Sequence, residues 1–141
     1  MKQEKEFGFD TRMVHAGHIP DSQTGSRAVP IYQTSSFVFF DADHAAELFD
    51  LKQYGHIYSR ISNPTVSVFE ERMASLEGAT GAVATTTGMS AQLTVFMTLL
   101  EPGDEVVSSA HLYGGTLVQF THTLKRMGVS VTFVDPTDIG A

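Results

Sequence analysis

The sequence predicts an α/β fold built on a mostly parallel sheet. After residue 62, segments whose apolar residues recur every three or four positions alternate with short apolar runs. The first kind of segment is typical of helices and the second of buried strands. Glycine and proline separate the segments. Strands that alternate with helices in this way form βαβ units, in which neighbouring strands run parallel.

Residues 1–62 lack this alternation. The stretch 17–30 is rich in Gly, Pro, Ser and Thr, and the apolar run 31–40 allows at most one short strand. Such a segment shows no core pattern of its own. We therefore interpret 1–62 as an irregular arm and 63–141 as the first part of a regular domain.

One helix is predicted inside the arm. Asp41 or Asp43 can cap it, because an aspartate side chain accepts hydrogen bonds from the free N–H groups of a first helical turn. The helix is expected over 42–53, with Leu48 and Leu51 on one face.

The regular domain begins with a second helix. Asn63 can cap this helix, and Pro64 suits its first position. Gly78 is a typical helix end. One face of the helix is apolar and consists of Val66, Phe69, Met73 and Leu76.

The remaining elements are predicted by the same signals. The apolar faces of two further helices consist of Met89, Leu93, Phe96 and Leu100, and of Leu117, Phe120, Leu124 and Met127. Strands are expected at 82–86, 105–109 and 129–134. A sheet of these strands leaves an edge strand with unpaired N–H and C=O groups, which promotes aggregation in an isolated domain. We therefore expect the 141 residues to be a fragment of a longer α/β chain.

Composition excludes several classes of function. The net charge of −7 argues against a nucleic-acid-binding protein, which needs clustered Lys and Arg. The lack of cysteine excludes disulfides and thiolate metal sites and fits a reducing compartment. Residues 1–6 lead to no apolar signal core, so a cytoplasmic location is expected. The uncharged stretch 79–100 is long enough to span a bilayer, but its hydroxyl groups favour a strand and a helix instead.

The turn at 85–91 is the first candidate binding segment. It follows a predicted strand and opens a helix, whose free N–H groups and dipole suit a phosphate. Gly88 lets a ligand approach the backbone closely, and Thr87 and Ser90 add hydroxyl groups. No lysine follows the glycine, so the turn is not a Walker A loop. Taken alone, it is more typical of an ordinary strand-to-helix turn.

Two other segments carry polar or aromatic side chains beside helix starts. Arg60 can form a bidentate pair with a phosphate, and Tyr58 can donate its hydroxyl to the same group. Tyr113 follows the second predicted strand, where its ring can stack on a flat cofactor, and Gly114 and Gly115 leave room beside it. Taken alone, each segment also fits an ordinary surface loop or a helix-capping turn.

Together these segments have a specific order and spacing. The runs Y-S-R-x-x-N-P-T at 58–65, T-G-M-S-A at 87–91 and L-Y-G-G-T at 112–116 resemble the Cys/Met-metabolism family of enzymes that depend on pyridoxal 5'-phosphate (PLP). The resemblance covers 9–138 and matches the first third of a family member. It implies the aspartate-aminotransferase-like fold, called fold type I, whose large domain binds the cofactor.

The resemblance also implies roles for residues on both sides of a subunit interface. Gly88 and Met89, together with Thr87, would bind the phosphate of this chain's own PLP. Tyr113 would stack on the pyridine ring and act as a catalytic residue in proton transfer.

The other implied roles concern a neighbouring subunit. Tyr58 and Arg60 would bind the phosphate of that subunit's cofactor, and the arm at 1–62 would contact the same subunit. A homo-oligomer whose active site is shared across a dimer interface, acting on a small amino-acid substrate, is therefore expected.

The lysine that holds the cofactor in the family is missing from this chain. The family carries it further along the sequence in a Ser-x-Thr-Lys-like context, whereas the lysines here are Lys2, Lys5, Lys52 and Lys125, none of them in that context. Without such a lysine the covalent chemistry does not start. The isolated fragment is expected to be inactive.

The arm, especially 21–37, is most similar to the family members that replace the acetate of O-acetylhomoserine by sulfide or a thiol. Methionine γ-lyase and the cystathionine γ-synthases and γ-lyases of the same family remain alternatives. A non-catalytic assembly fragment and a Rossmann-like nucleotide-binding domain remain alternatives from other classes.

The histidines do not predict a site. His15 and His18 have a spacing that suits a metal, but no third ligand accompanies them, so a structural loop is expected. His111 is expected to shape its turn. No constellation of functional residues includes His44, His56 or His122.

Overall fold

The computed structural model describes residues 7–138 and residue 140. These residues divide into two compact units, of which the first ends at Ala84 and the second begins at Thr85.

The first unit contains three helices, α1 (Phe9–His15), α2 (Ala42–Phe49) and α3 (Pro64–Glu77). Helix α1 was not predicted, because it is short and lies in a stretch interpreted as irregular. Its ends carry Asp10 in the first turn and His15 in the last, which complement the helix dipole. It packs against α3. The Arg12 guanidinium donates to the Ser75 carbonyl, and Arg72 Nε donates to the Ala16 carbonyl over 2.9 Å.

Helix α2 is shorter than predicted. Asp41 is its cap, since its carboxylate accepts from the His44 N–H over 2.7 Å. The prediction that Leu48 and Leu51 share a face is wrong. The helix ends at Phe49, and Leu51 adopts a left-handed conformation with φ 56°. Its side chain is therefore 88% exposed, while that of Leu48 is buried.

The predicted start and end of α3 are confirmed. The Asn63 side chain accepts from the Thr65 N–H over 2.9 Å, Pro64 is the first residue, and Gly78 ends the helix with φ 66°. Its predicted apolar face is only partly covered. Met73 and Leu76 are half-buried, whereas Phe69 is 56% exposed and Val66 is also exposed.

The second unit contains α4 (Gly88–Leu99), β1 (Glu105–Ser109), α5 (Gly114–Val118) and β2 (Ser130–Val134). The strands are parallel, as predicted, with Glu105 opposite Ser130. Helix α5 continues directly into a π-helical segment, Gln119–Leu124. The core consists of Phe120, Leu124 and Val129, against which Phe96, Val131, Phe133 and others pack.

One prediction for this region is wrong. The segment 82–86 is not a strand, because no segment in the described part of the chain pairs with it and a strand needs a ladder partner. Instead, the Ala84 N–H donates to Glu70 Oε1 over 2.7 Å. The helix predicted to carry Leu117, Phe120, Leu124 and Met127 is present, and it contains the π-helical turn at Gln119–Leu124. Such turns occur frequently at functional sites.

Asn63 connects several parts of the first unit. It is buried, and it caps α3, donates to the Tyr32 carbonyl over 2.9 Å and donates to Ser59 Oγ over 2.9 Å. We expect Asn63→Ala to lower the free energy of unfolding by about 2–3 kcal/mol, because it removes a helix cap and two buried hydrogen bonds. Asn63→Asp keeps the cap and loses the donors, so we expect an intermediate loss in denaturant titrations. Equal stabilities of the alanine variant and the wild type would contradict this role.

Candidate functional site

The turn before α4 is closed by its own hydroxyl groups. Thr87 Oγ1 accepts from the Ser90 N–H over 3.0 Å and donates to Ser90 Oγ over 2.9 Å. Thr85 Oγ1 donates to the Thr87 carbonyl over 2.9 Å. The Thr87 hydroxyl is thus used within the turn, whereas the Ser90 hydroxyl is left with a proton to donate to a ligand.

The first turn of α4 also leaves backbone donors open. The first N–H groups of a helix have no partner inside it, and here the open ones belong to Gly88 and Met89, since the Ser90 N–H donates to Thr87 Oγ1 and the Ala91 N–H to the Thr87 carbonyl. A Cβ placed on Gly88 would meet no atom within 4 Å. An anion can therefore reach these N–H groups, and the helix dipole favours its negative charge.

Tyr113 lies at the start of α5 with its ring 76% exposed. A Cβ at Gly115 would lie 2.6 Å from Cε1 of this ring, so only glycine lets the ring take this position. A Cβ at Gly114 would meet nothing within 4 Å. The ring is therefore open to a ligand, and it lies over the position that a side chain at 115 would occupy.

Buried polar side chains join α5 and its π-helical extension to α4. Gln119 Nε2 donates to the Met89 carbonyl over 3.2 Å, and Thr116 Oγ1 donates to Gln92 Oε1 over 3.2 Å. Thr116 and Gln119 are both buried. These bonds fix the helix that begins beside Tyr113 against the first turn of α4. Neither bond was predictable from the sequence, because both depend on tertiary packing.

Tyr58 and Arg60 lie together in the first unit. The Arg60 guanidinium lies 5.3 Å from the centroid of the Tyr58 ring, within the range of a cation–π interaction. Tyr58 is 40% exposed, and Arg60 is exposed. Among the described residues, no side chain or carbonyl accepts a hydrogen bond from the Arg60 guanidinium. Its donors are free to bind an anion.

The predicted site residues therefore form two groups. Thr87, Gly88 and Met89 lie in the second unit, where α4 is joined to the helix of Tyr113. Tyr58 and Arg60 lie in the first unit.

One titratable residue, His56, lies close in sequence to Tyr58 and Arg60. Burial lowers the pKa of His56 below its usual value, which favours the neutral form of the ring. In the described part of the chain, no three His, Asp or Glu side chains gather in a way that could hold a metal. None of the helices at 7–138 is both long and apolar enough to cross a membrane.

Comparisons with known proteins found one matching family and several similar proteins. The model of the family "Cys/Met metabolism PLP-dependent enzyme" matches residues 10–141. The chain is 54% identical to O-acetyl-L-homoserine sulfhydrylase 1 of Thermus thermophilus over 89% of its own length and 30% of that protein. It is 50% identical to homocysteine synthase of Schizosaccharomyces pombe over 94% of its length and 32% of that protein.

A solved structure gives the same result for the fold. A protein of Campylobacter jejuni assigned as an O-acetylhomoserine (thiol)-lyase superposes with a TM-score of 0.87 at 37% identity, covering 95% of this chain and 33% of that one. That structure contains a pyridoxyl-lysine monophosphate adduct. The predicted fold-type-I α/β architecture is confirmed. The chain spans about a third of the length of the relatives that it matches.

Proposed function

This chain belongs to the Cys/Met metabolism PLP-dependent enzyme family, and from that premise we propose that it is the N-terminal third of an O-acetylhomoserine sulfhydrylase. The whole enzyme would replace the acetate of O-acetylhomoserine by sulfide or a thiol, giving homocysteine or methionine. The observation that carries this proposal is the 54% identity to a sulfhydrylase over 89% of the chain. A cytoplasmic location is proposed with it.

The first turn of α4 fits the phosphate of PLP. The open N–H groups of Gly88 and Met89 would donate to phosphate oxygens, and Thr87 would hold the turn in shape through its bonds to Ser90. Because the Ser90 hydroxyl still has a proton to donate, it would supply a further hydrogen bond to the same group. Bound PLP supplies an electron sink that stabilises negative charge beside the substrate's amino group.

Tyr113 is proposed as the catalytic residue of this segment. Its exposed ring, set by Gly115, would stack on the flat cofactor ring. Its hydroxyl would then move a proton near the leaving group of the substrate. Because α5 is fixed to α4, the ring and the phosphate turn would keep a constant distance from each other.

Tyr58 and Arg60 are proposed to serve the cofactor of a neighbouring subunit. The guanidinium would form a bidentate pair with phosphate oxygens, with the Tyr58 hydroxyl as a third donor. We propose that 1–62 is an arm that contacts this subunit and that 63–141 is the first part of the PLP-binding domain. Exposed apolar side chains support the proposed contact of the arm. Ile31, Val38 and Phe40 are exposed here, and exposed apolar patches mark surfaces that bind another protein surface.

The described lysines do not suit the cofactor aldehyde. Lys52 forms an exposed ion pair with Asp50 at 2.9 Å, and Lys125 is exposed at the end of the π-helical segment. We propose that a lysine beyond residue 141 holds PLP and that the isolated chain is inactive.

Activity of the full-length polypeptide tests the function. We expect the purified protein to be yellow, to lose this colour with borohydride while retaining cofactor, and to form homocysteine from O-acetylhomoserine only when sulfide is added. A colourless protein that binds no PLP would contradict the assignment as a PLP-dependent enzyme. Elimination that proceeds equally well without sulfide would instead favour a γ-lyase of the same family.

A further inference from the structure

We propose that His56 is a positioning residue for Tyr58 and Arg60, acting through a hydrogen bond to Ser62 that closes the turn from which both side chains project. The inference rests on the proposed function, because it concerns the phosphate-binding role given to this pair. His56 lies in no motif that predicts a function, and its role follows from its contacts.

The turn is closed on both sides of the Tyr–Arg pair. His56 Nδ1 and Ser62 Oγ share a hydrogen bond of 2.9 Å, which links the residues before and after the pair. Inside this link, the Tyr58 carbonyl accepts from the Ile61 N–H over 2.8 Å and from the Ser62 N–H over 3.0 Å. Ser62 is therefore held by both its backbone and its side chain.

The His56 ring is held in place by two aromatic neighbours. Its centroid lies 5.4 Å from that of Phe37 and 5.7 Å from that of Tyr54, the latter in edge-on geometry. The residue is half-buried. Burial lowers the pKa of His56, which favours the neutral ring, and Nδ1 has Ser62 Oγ as its hydrogen-bond partner.

The arm fixes the same turn from its other side. The Ser59 N–H donates to the Ser35 carbonyl over 2.8 Å, and the Phe37 N–H donates to the Ile57 carbonyl over 3.1 Å. Since Phe37 also contacts the His56 ring, the histidine joins the arm segment to the turn. The backbone of the Tyr–Arg pair is thus fixed before any ligand arrives.

This arrangement matters because, among the described residues, the side chains of Tyr58 and Arg60 make no hydrogen bond to the rest of the unit, so their position depends on the backbone of the turn. The contact between Arg60 and the Tyr58 ring orients the two groups relative to each other but not relative to the rest of the unit. A turn that is already ordered spares the binding step the cost of ordering it. Loss of the His56–Ser62 bond should therefore weaken binding of the phosphate group.

Variants at both partners, made in the full-length enzyme, separate the hydrogen bond from the ring. His56→Phe keeps an aromatic ring and loses the bond, His56→Asn keeps a polar group near the position of Nδ1, and Ser62→Ala removes the other partner. The measurement is the affinity of the PLP-free enzyme for PLP and for pyridoxal, which lacks the phosphate.

We expect His56→Phe and Ser62→Ala each to weaken PLP binding about fivefold, as the loss of one hydrogen bond implies, with pyridoxal binding unchanged. The double variant should be no weaker than either single one, because both remove the same bond. His56→Asn should recover part of the loss. Unchanged PLP affinity in both single variants, or an equal loss for pyridoxal, would overturn the inference. If His56→Phe does not fold, the ratio of the PLP and pyridoxal affinities of Ser62→Ala tests the inference instead.

Arg60→Ala in the same assay keeps this inference apart from the proposed function. If Arg60→Ala lowers the affinity for PLP and His56→Phe does not, only the positioning role of His56 fails. If Arg60→Ala also leaves the PLP-to-pyridoxal ratio unchanged, the phosphate-binding role of the pair fails with it.

Discussion

Arg60→Ala in the full-length enzyme is expected to weaken the binding of PLP about 10- to 100-fold, as the loss of a charged hydrogen bond to phosphate implies. The affinity for pyridoxal should stay the same. The loss is expected because the guanidinium is exposed and contacts the Tyr58 ring. In the described part of the chain, none of its N–H groups donates to another residue. Removing it takes away a phosphate ligand and leaves no buried group unsatisfied.

Two further variants control for charge and for surface change. Arg60→Lys keeps the positive charge and loses the planar fork, so we expect an intermediate affinity for PLP. Arg126→Ala removes another exposed arginine, which lies near the end of the helical segment in the second unit, and should leave the affinity unchanged. Arg60→Ala that weakens PLP and pyridoxal binding equally would show that Arg60 does not contact the phosphate.

The elements that the sequence predicts correctly depend on nearby residues. Asn63, Pro64 and Gly78 define α3 because a cap, a first-turn proline and a left-handed glycine act within one helical turn. Strand β1 was predicted from its apolar run, and it forms because its partner β2 lies within the described part of the chain. The segment 82–86 has the same kind of apolar run but lacks a paired partner in the described residues, so its pattern did not produce a strand.

The candidate site was predictable only in its motif residues. The roles of Gly115 beneath Tyr113 and of Gln119 on the Met89 carbonyl depend on contacts that no spacing reveals. The same holds for His56, which the sequence leaves without a partner and the fold places beside Ser62. Motifs therefore predict which groups touch a ligand, whereas the residues that position those groups appear only once the chain is folded.

The central proposal is that the active site is divided between two subunits. If this is correct, two impaired variants can restore activity when they are combined in one dimer. If the proposal is correct, Arg60→Ala damages the half-site offered to a neighbour, and Tyr113→Phe damages the half-site for the chain's own cofactor. We expect each variant alone to lose activity about 100-fold or more through its damaged half-site. In a mixed dimer, one of the sites combines the intact Tyr113 of one subunit with the intact Arg60 of the other.

The most direct measurement is therefore the activity of the two variants after they are dissociated, mixed in equal amounts and reassociated. Random pairing should return about a quarter of the wild-type activity, since half of the dimers are mixed and each has one intact site. A mixture of Arg60→Ala with Tyr58→Phe is the control and should recover nothing, because both changes damage the same half-site. Activity of the first mixture that stays at the mean of the two separate variants would contradict a site shared between subunits.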